Sequence, residues 1–165
     1  MAMAQPVAAR RSVPGWVAWL GFVVLCNAAG FLSSLAAREQ TVYADLHKPF
    51  FAPPPWVFAP AWTTLYVLMG TATYLVWRDS AGAPRRRALT VFGAQLALNA
   101  LWTPVFFALQ QYSAALALLV AIWIAVAAML VLYAKQVRLA GLLIIPLLLW
   151  VTYAGALNAA IVALN

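Results

Sequence analysis

Few side chains in this sequence could carry acid, base or metal chemistry. Glu39, Asp45 and Asp79 are its only carboxylates, His47 its only imidazole and Cys26 its only thiol. His47 has no second His or Cys near it, which excludes a zinc site. No Ser-His-Asp set and no glycine-rich phosphate cradle is present. His47 could cap a bound tetrapyrrole as an axial ligand, although a loop imidazole exposed to water is the simpler reading. Cys26 reads as a small buried apolar residue. Acid-base and metal catalysis therefore have little to work with.

A different chemistry is available to rows of rings, amides and hydroxyls within long apolar runs. One row holds Phe92, Gln95, Asn99, Trp102, Thr103 and Phe106, where the i, i+4 spacing stacks amide, hydroxyl and ring on one helix face. A second holds Trp62, Tyr66, Met69 and Thr73. A third holds Pro146, Trp150, Tyr153, Ala154 and Asn158. Any one such residue can simply join two helices in lipid, where a polar group must find a partner or line a cavity. Three mixed rows fit better with a concave, mostly apolar pocket that has a few convergent polar groups.

The elements that must position these rows follow from composition. Hydrophobic residues make up 67% of the 165-residue chain and charged residues 8%, with mean hydropathy +0.92. A soluble domain is about 25% charged, so lipid is the solvent and the chain is an integral membrane protein. Five runs of 21 to 23 residues lack Asp, Glu, Lys and Arg: Trp16–Ala36, Trp56–Trp77, Ala88–Leu109, Ser113–Ala134 and Leu139–Ile161. About 20 residues cross the hydrocarbon core as a helix. Ala-, Leu- and Val-rich runs without ten-residue alternation predict helices rather than barrel strands. The expected fold is an all-α, five-helix transmembrane bundle over 13–165, preceded by a disordered arm over 1–12. The first run is too long for a cleavable signal core and should remain as a helix.

Charge predicts the orientation. Arg10, Arg11, Arg78, Arg85, Arg86, Arg87, Lys135 and Arg138 fall on one side of a five-span chain, and Arg38 and Lys48 on the other. The positive-inside rule then places the N-terminus inside and the C-terminus outside. The net charge of +7 is thus mostly topology. Nucleic acid is not an expected partner, because the aromatics that would stack on bases lie within the spans.

The first connection is stiff. "LHKPFFAPPPWVFAPAW", residues 46–62, holds five prolines and five large aromatics. Pro49, Pro53, Pro54 and Pro55 cannot continue a helix and bias their neighbours to extended backbone. This predicts a segment close to polyproline II, whose rings would sooner meet an apolar surface than water. A stiff, apolar loop over the outer end of the bundle reads as a lid, with Pro60 expected to bend the helix that follows.

Three stretches carry a family resemblance. Residues 43–70 ("YADLHKPFFAPPPWVFAPAWTTLYVLMG") are similar to the lid and second helix of the tryptophan-rich sensory protein, or translocator protein (TspO), family. Residues 95–107 ("QLALNALWTPVFF") resemble its third helix and 145–165 ("IPLLLWVTYAGALNAAIVALN") its fifth. The resemblance extends from about residue 16 to the end. It implies a five-helix bundle, usually dimeric, binding porphyrins such as protoporphyrin IX and haem beneath the first loop, with no obligatory cofactor. By position, Tyr43, Pro49 and Pro53 match lid residues, and Trp62 and Trp150 the paired pocket tryptophans. Asn99 and Trp102 match third-helix lining positions, and Pro146 and Asn158 fifth-helix signature residues. The family often has Trp where this chain has Val42 and Phe51. The animal members' sterol pattern needs a Lys or Arg soon after the fifth-helix tyrosine, and Tyr153 is followed instead by Ala-Gly-Ala-Leu-Asn.

Three functions compete on this reading. The first is a receptor, sensor or carrier of tetrapyrroles. The second is light-dependent porphyrin breakdown with Trp62 and Trp150 as electron donors. The third is a small-solute transporter, against which stand the lack of an intramembrane carboxylate and of inverted repeats. Gly93, Ala97 and Ala100 offer small residues for a homodimer contact on the third helix.

Overall fold

A computed structural model describes residues 14–35 and 39–165, with all regular structure among them helical. The helices are α1 (Gly15–Leu35), α2 (Glu39–Asp45), α3 (Phe58–Asp79), α4 (Gly82–Thr103), α5 (Tyr112–Gln136) and α6 (Arg138–Leu164). A 3₁₀ turn, Pro55–Val57, leads into α3, and a π-helical turn, Pro104–Ala108, ends α4. The expected arm over 1–12, including Arg10 and Arg11, lies outside the described residues, as does Arg38.

Four of the five long helices are long and apolar enough to cross a membrane: α1, α4 with its π-helical end, α5 and α6. The fifth, α3, has a comparable 22 residues but is less apolar. Thr63, Thr64, Tyr66, Thr71, Thr73 and Tyr74 dilute it, and Arg78 and Asp79 occupy its last turn. α4 also begins earlier than the run expected from Ala88. Its first two turns carry Gly82 to Arg87, because apolarity marks where the lipid begins rather than where helical hydrogen bonding begins.

The five long helices form a closed ring in the order α1, α3, α6, α5, α4, with α4 returning to α1. Close approach at small residues sets the contacts. A Cβ on Gly70 of α3 would lie 2.8 Å from the backbone of Val23, and one on Gly141 of α6 2.6 Å from the Ala134 side chain. Such approach lets backbones pack directly, the usual source of helix association where lipid removes the hydrophobic driving force. The core between them is apolar, with Cys26, Met69, Ala72, Val76, Ala88, Val126, Met129 and Ile144 fully buried. The α3–α4 turn needs backbone at φ +63°, supplied by Gly82.

Side chains complete the helix–helix joints. Pro104 has no N–H to give to the Ala100 carbonyl four residues earlier. The Ser33 hydroxyl of α1 donates to that carbonyl at 2.5 Å. Trp19 Nε1 donates to Thr71 Oγ1 at 3.0 Å, joining α1 to α3, and Trp123 Nε1 to Thr152 Oγ1 at 2.9 Å, joining α5 to α6. The hydroxyls of Thr73 and Tyr133 pair at 2.9 Å between α3 and α5.

The first connection brings one element the sequence did not suggest and one correction. Glu39–Asp45 forms the short helix α2, ahead of the first proline that could forbid it. Pro60 falls in the first turn of α3, where a missing N–H has no intrahelical acceptor to lose, so no bend is required of it. Extended backbone is kept nearer the proline run, as at Pro54 (φ −63°, ψ 148°).

Candidate functional site

The site is built at the end of the bundle where α1 finishes and α3 begins. α2 and the proline loop lie there on a floor of Phe106, Ala115, Leu157 and Ile161, with Leu46, Ala52 and Phe58 packed against it. Polar contacts hold this lid in place. The Tyr43 hydroxyl donates to the Pro53 carbonyl at 3.0 Å, and the Tyr153 hydroxyl of α6 to the Phe51 carbonyl at 2.9 Å. Ala52 N–H donates to the Pro49 carbonyl at 3.0 Å, closing a turn. Lys48 Nζ donates to the Tyr43 and Ala44 carbonyls, at 2.7 and 2.9 Å, and so ends α2. Asn165 clamps the far side: its Oδ1 accepts from His47 N–H at 3.1 Å and its Nδ2 donates to the His47 carbonyl at 3.0 Å. His47 is exposed, and these two bonds engage its backbone rather than its ring. Burial, with the Tyr153 hydroxyl as a smaller contributor, holds the Tyr43 phenol above its usual pKa.

Below the lid runs a chain of ring contacts. Tyr43 meets Phe58 at 5.4 Å, Phe58 meets Trp150 at 6.2 Å, and Trp150 meets Trp62 edge-to-face at 6.4 Å. Trp62 in turn stacks on Tyr66 at 5.3 Å, and Trp150 lies 5.6 Å from Tyr153. The two tryptophans expected to face one pocket thus touch each other. Beside them, a laterally open groove of about 790 Å³ runs between α3 and α6. Pro146, Leu149, Trp150 and Tyr153 line it from α6, and Ala61, Thr64, Leu65 and Leu68 from α3. The groove opens toward the lipid side of the bundle.

The α4 row lies apart from that groove. Gln95 is fully buried and Asn99 is 4% exposed. Among the described residues, both amide ends of Gln95, Asn99 Nδ2 and Trp102 Nε1 are buried without a hydrogen-bond partner. Unpaired polar atoms inside a bundle carry a free-energy cost and are uncommon in folded proteins. Trp102 also stacks on Phe106 at 4.9 Å, and Phe106 reaches Phe107 and Tyr112. Thr103 ends α4 beside them.

The residues expected at the site therefore divide. Tyr43, Trp62, Tyr66, Trp150 and Tyr153 join one ring chain, Pro49 and Pro53 belong to the lid, and Pro146 lines the groove. Gln95, Asn99, Trp102 and Phe106 form a second row on α4, and Ala154 packs half-buried on the core. Asn158 does something else. With its amide oriented to satisfy both ends, it donates to the Tyr112 carbonyl and accepts from Leu116 N–H, each at 3.1 Å. It thereby ties α6 to the first turn of α5. Sequence reasoning passed over Phe58, which links lid to tryptophans, and Asn165, which clamps the lid. The spacing of Ala61, Thr64, Leu65 and Leu68 marks a helix face, but not the one that borders a groove.

An all-helical ring of long, mostly apolar helices closed at one end by a pinned loop defines a multi-pass membrane protein. Residues 22–164 match the TspO/MBR family, and the chain belongs to that family. It is 38% identical over 150 residues to a tryptophan-rich sensory protein of Cereibacter sphaeroides, covering 91% of this chain and 92% of the other. It is 44% identical over 140 residues to the tryptophan-rich protein TspO of Archaeoglobus fulgidus, covering 84% and 90%. The human translocator protein is 36% identical over 149 residues, covering 88% of each.

Proposed function

We propose that this chain binds a tetrapyrrole such as protoporphyrin IX or haem against its tryptophan pair, as a membrane receptor, sensor or carrier. The observation that carries the reading is the contact of Trp62 with Trp150 beneath a pinned lid and beside a groove of about 790 Å³. That volume is within the range of small-molecule sites, ~300–1,000 Å³. A planar apolar macrocycle finds ring faces there, on Trp150 and Tyr153. In the same reading α3 is the fifth span, because it fills the ring between four helices that are apolar enough to cross. The N-terminus lies inside and the C-terminus outside, and the protein pairs as a homodimer. Gly93 and Ala97 are exposed on α4, and a Cβ on Gly93 would meet nothing within 4 Å, which leaves that face free for a second copy.

One observation favours a second activity, light-dependent breakdown of the bound porphyrin. The continuous ring chain from Tyr66 through Trp62 to Trp150 would let an indole give one electron to an excited macrocycle, which passes it to oxygen. The indole radical would then take an electron back from the macrocycle, so that oxygen is the net oxidant and the macrocycle the net reductant. Titrating the purified chain with protoporphyrin IX in darkness and then in light tests both. Saturable quenching in darkness is expected. Replacing both tryptophans with Phe should cost less than ~1.4 kcal/mol, or tenfold, in affinity. Slower light-driven loss of the porphyrin spectrum in that variant would support the enzyme. Absence of saturable binding in the unaltered chain would overturn the reading.

A further inference from the structure

We propose that the pole of the bundle opposite the lid is a binding surface for the headgroups of anionic phospholipids. The α3–α4 and α5–α6 turns both lie at this pole. Gln136 Nε2 of α5 donates to the Pro84 carbonyl of α4 at 3.4 Å, and Arg85 donates to the Trp77 carbonyl of α3 at 3.2 Å. Three helix ends are thereby drawn together with Arg78, Arg85, Arg86, Arg87, Lys135, Arg138 and a single acid, Asp79. Arg78 is committed to Asp79 through two bonds of 2.6 and 2.7 Å, and Arg85 to the end of α3. Arg86, Arg87, Lys135 and Arg138 have no side-chain partner among the described residues.

The helix dipoles sharpen the imbalance. Lys135 and Arg78 sit at helix C-termini, where a cation is favoured. The N-termini of α4 and α6 also point to this pole, and an N-terminus favours an anion. Neither has an acidic residue in its first turn or a side-chain cap. Arg85 and Arg138 occupy those turns instead. Cations at the positive ends of two helices leave a surface whose charge is matched from outside the chain.

Lipid is the occupant that fits what flanks the charge. Leu139 and Leu142, next to Arg138, are 56% and 53% exposed, and they face outward where acyl chains run. A basic rim above exposed leucines matches a phosphate headgroup above its own tails. A soluble anion would use only the rim. Clustered Lys and Arg at the end of a spanning helix attract anionic lipid, each cation adding to the effect. This proposal uses none of the residues of the tetrapyrrole reading and stands or falls separately from it.

The test uses the purified full chain in bilayers of equal phosphatidylcholine and phosphatidylglycerol, stripped with mild detergent, with the retained lipid counted. The expected result is phosphatidylglycerol retained over phosphatidylcholine by on the order of tenfold. Combined Arg86→Gln, Arg87→Gln, Lys135→Gln and Arg138→Gln should bring that ratio close to one. The charge-keeping set Arg86→Lys, Arg87→Lys and Arg138→Lys should preserve it. Raising salt from about 0.05 to about 0.5 M should lower retention, as screening shortens the reach of the charges. Equal retention of the two lipids by the unaltered chain would overturn the proposal, as would a preference unchanged in the glutamine variant. Full displacement by inorganic phosphate would mean a soluble-anion site instead, and would overturn it too. If the glutamine variant loses its helical circular dichroism, the salt series on the unaltered chain decides, and a salt-independent preference is then the overturning result.

Discussion

The two ends of the bundle are built from different materials. At the pole away from the lid, very short connections join the helices, and Ala72, Ala88, Ala140, Gly70 and Gly141 let backbones approach closely. Thr73 there pairs with Tyr133, and one buried polar atom at this pole, Gln136 Oε1, goes unpartnered. At the lid end, large rings meet edge-to-face, a groove opens between α3 and α6, and four buried polar atoms of Gln95, Asn99 and Trp102 go unpartnered. Small residues fill space without gaps, whereas rigid rings touch at edges and leave concavities. A scaffold and a site can thus occupy one bundle because packing density is chosen locally.

The comparison breaks most visibly in the scaffold half. Gly70→Leu would drive a side chain into the Val23 backbone, which cannot rotate away as a side chain could. Overpacking of this kind costs ~1–3 kcal/mol and at times more. The expected outcome is a large fall in thermal midpoint or failure to purify as a folded species. A variant as stable as the parent would show that α1 and α3 are free to separate.

In the site half, Trp150→Ala removes the ring shared by Phe58, Trp62 and Tyr153. Porphyrin affinity should fall by more than about tenfold, equivalent to ~1.4 kcal/mol, while the thermal midpoint falls less than with Gly70→Leu. Dark titration and thermal unfolding of the same preparation separate the two effects. Equal loss of stability in both variants would erase the distinction between scaffold and site.

Asn158 belongs to the scaffold although it lies in a row that reads as site. Asn158→Leu removes both bonds to the first turn of α5. The stability loss should be ~1–3 kcal/mol, with little change in porphyrin affinity. Strong loss of binding at unchanged stability would return this residue to the site.

The smallest expected effect is on the lid latch. The neutral Tyr43 phenol donates to Pro53, and its pKa is raised above the ordinary tyrosine value. Its contribution is therefore complete below the unfolded value of about 10 and is lost as pH rises through the higher folded value. Porphyrin dissociation should quicken modestly across that alkaline window. Tyr43→Phe should dissociate slightly faster at neutral pH and lose the pH response, as stopped-flow fluorescence would record.

Much of this was legible in the sequence. Hydropathy is a sum over residues, so the solvent, the helical class and four of the spans follow from composition and run length alone. The fifth helix is harder to read as a span, because threonines and tyrosines lower the hydropathy of α3 whether they are buried, as Tyr66 and Thr73 are, or exposed, as Thr63 and Thr64 are. The lid was legible from its prolines, and α2 was not, since Glu39–Asp45 precedes the residues that constrain the backbone. The tryptophan pair was legible only through family resemblance. Spacing places Trp62 on α3 and Trp150 on α6 but says nothing of their contact.

The sequence by itself determined that this chain lives in lipid, that it is helical, and which residues are too polar or too large to be indifferent to their surroundings. Only the tertiary structure decided what each of them meets. Asn158 and Asn99 are both amides on apolar helices, yet one bridges a neighbouring backbone and the other leaves Nδ2 unpartnered. The physical reason is rotation. An apolar helix in lipid carries little periodic pattern to set the direction of its faces. That angle is fixed by close approaches such as Gly70 to Val23 and by joints such as Ser33 to Ala100, contacts between residues distant in the chain.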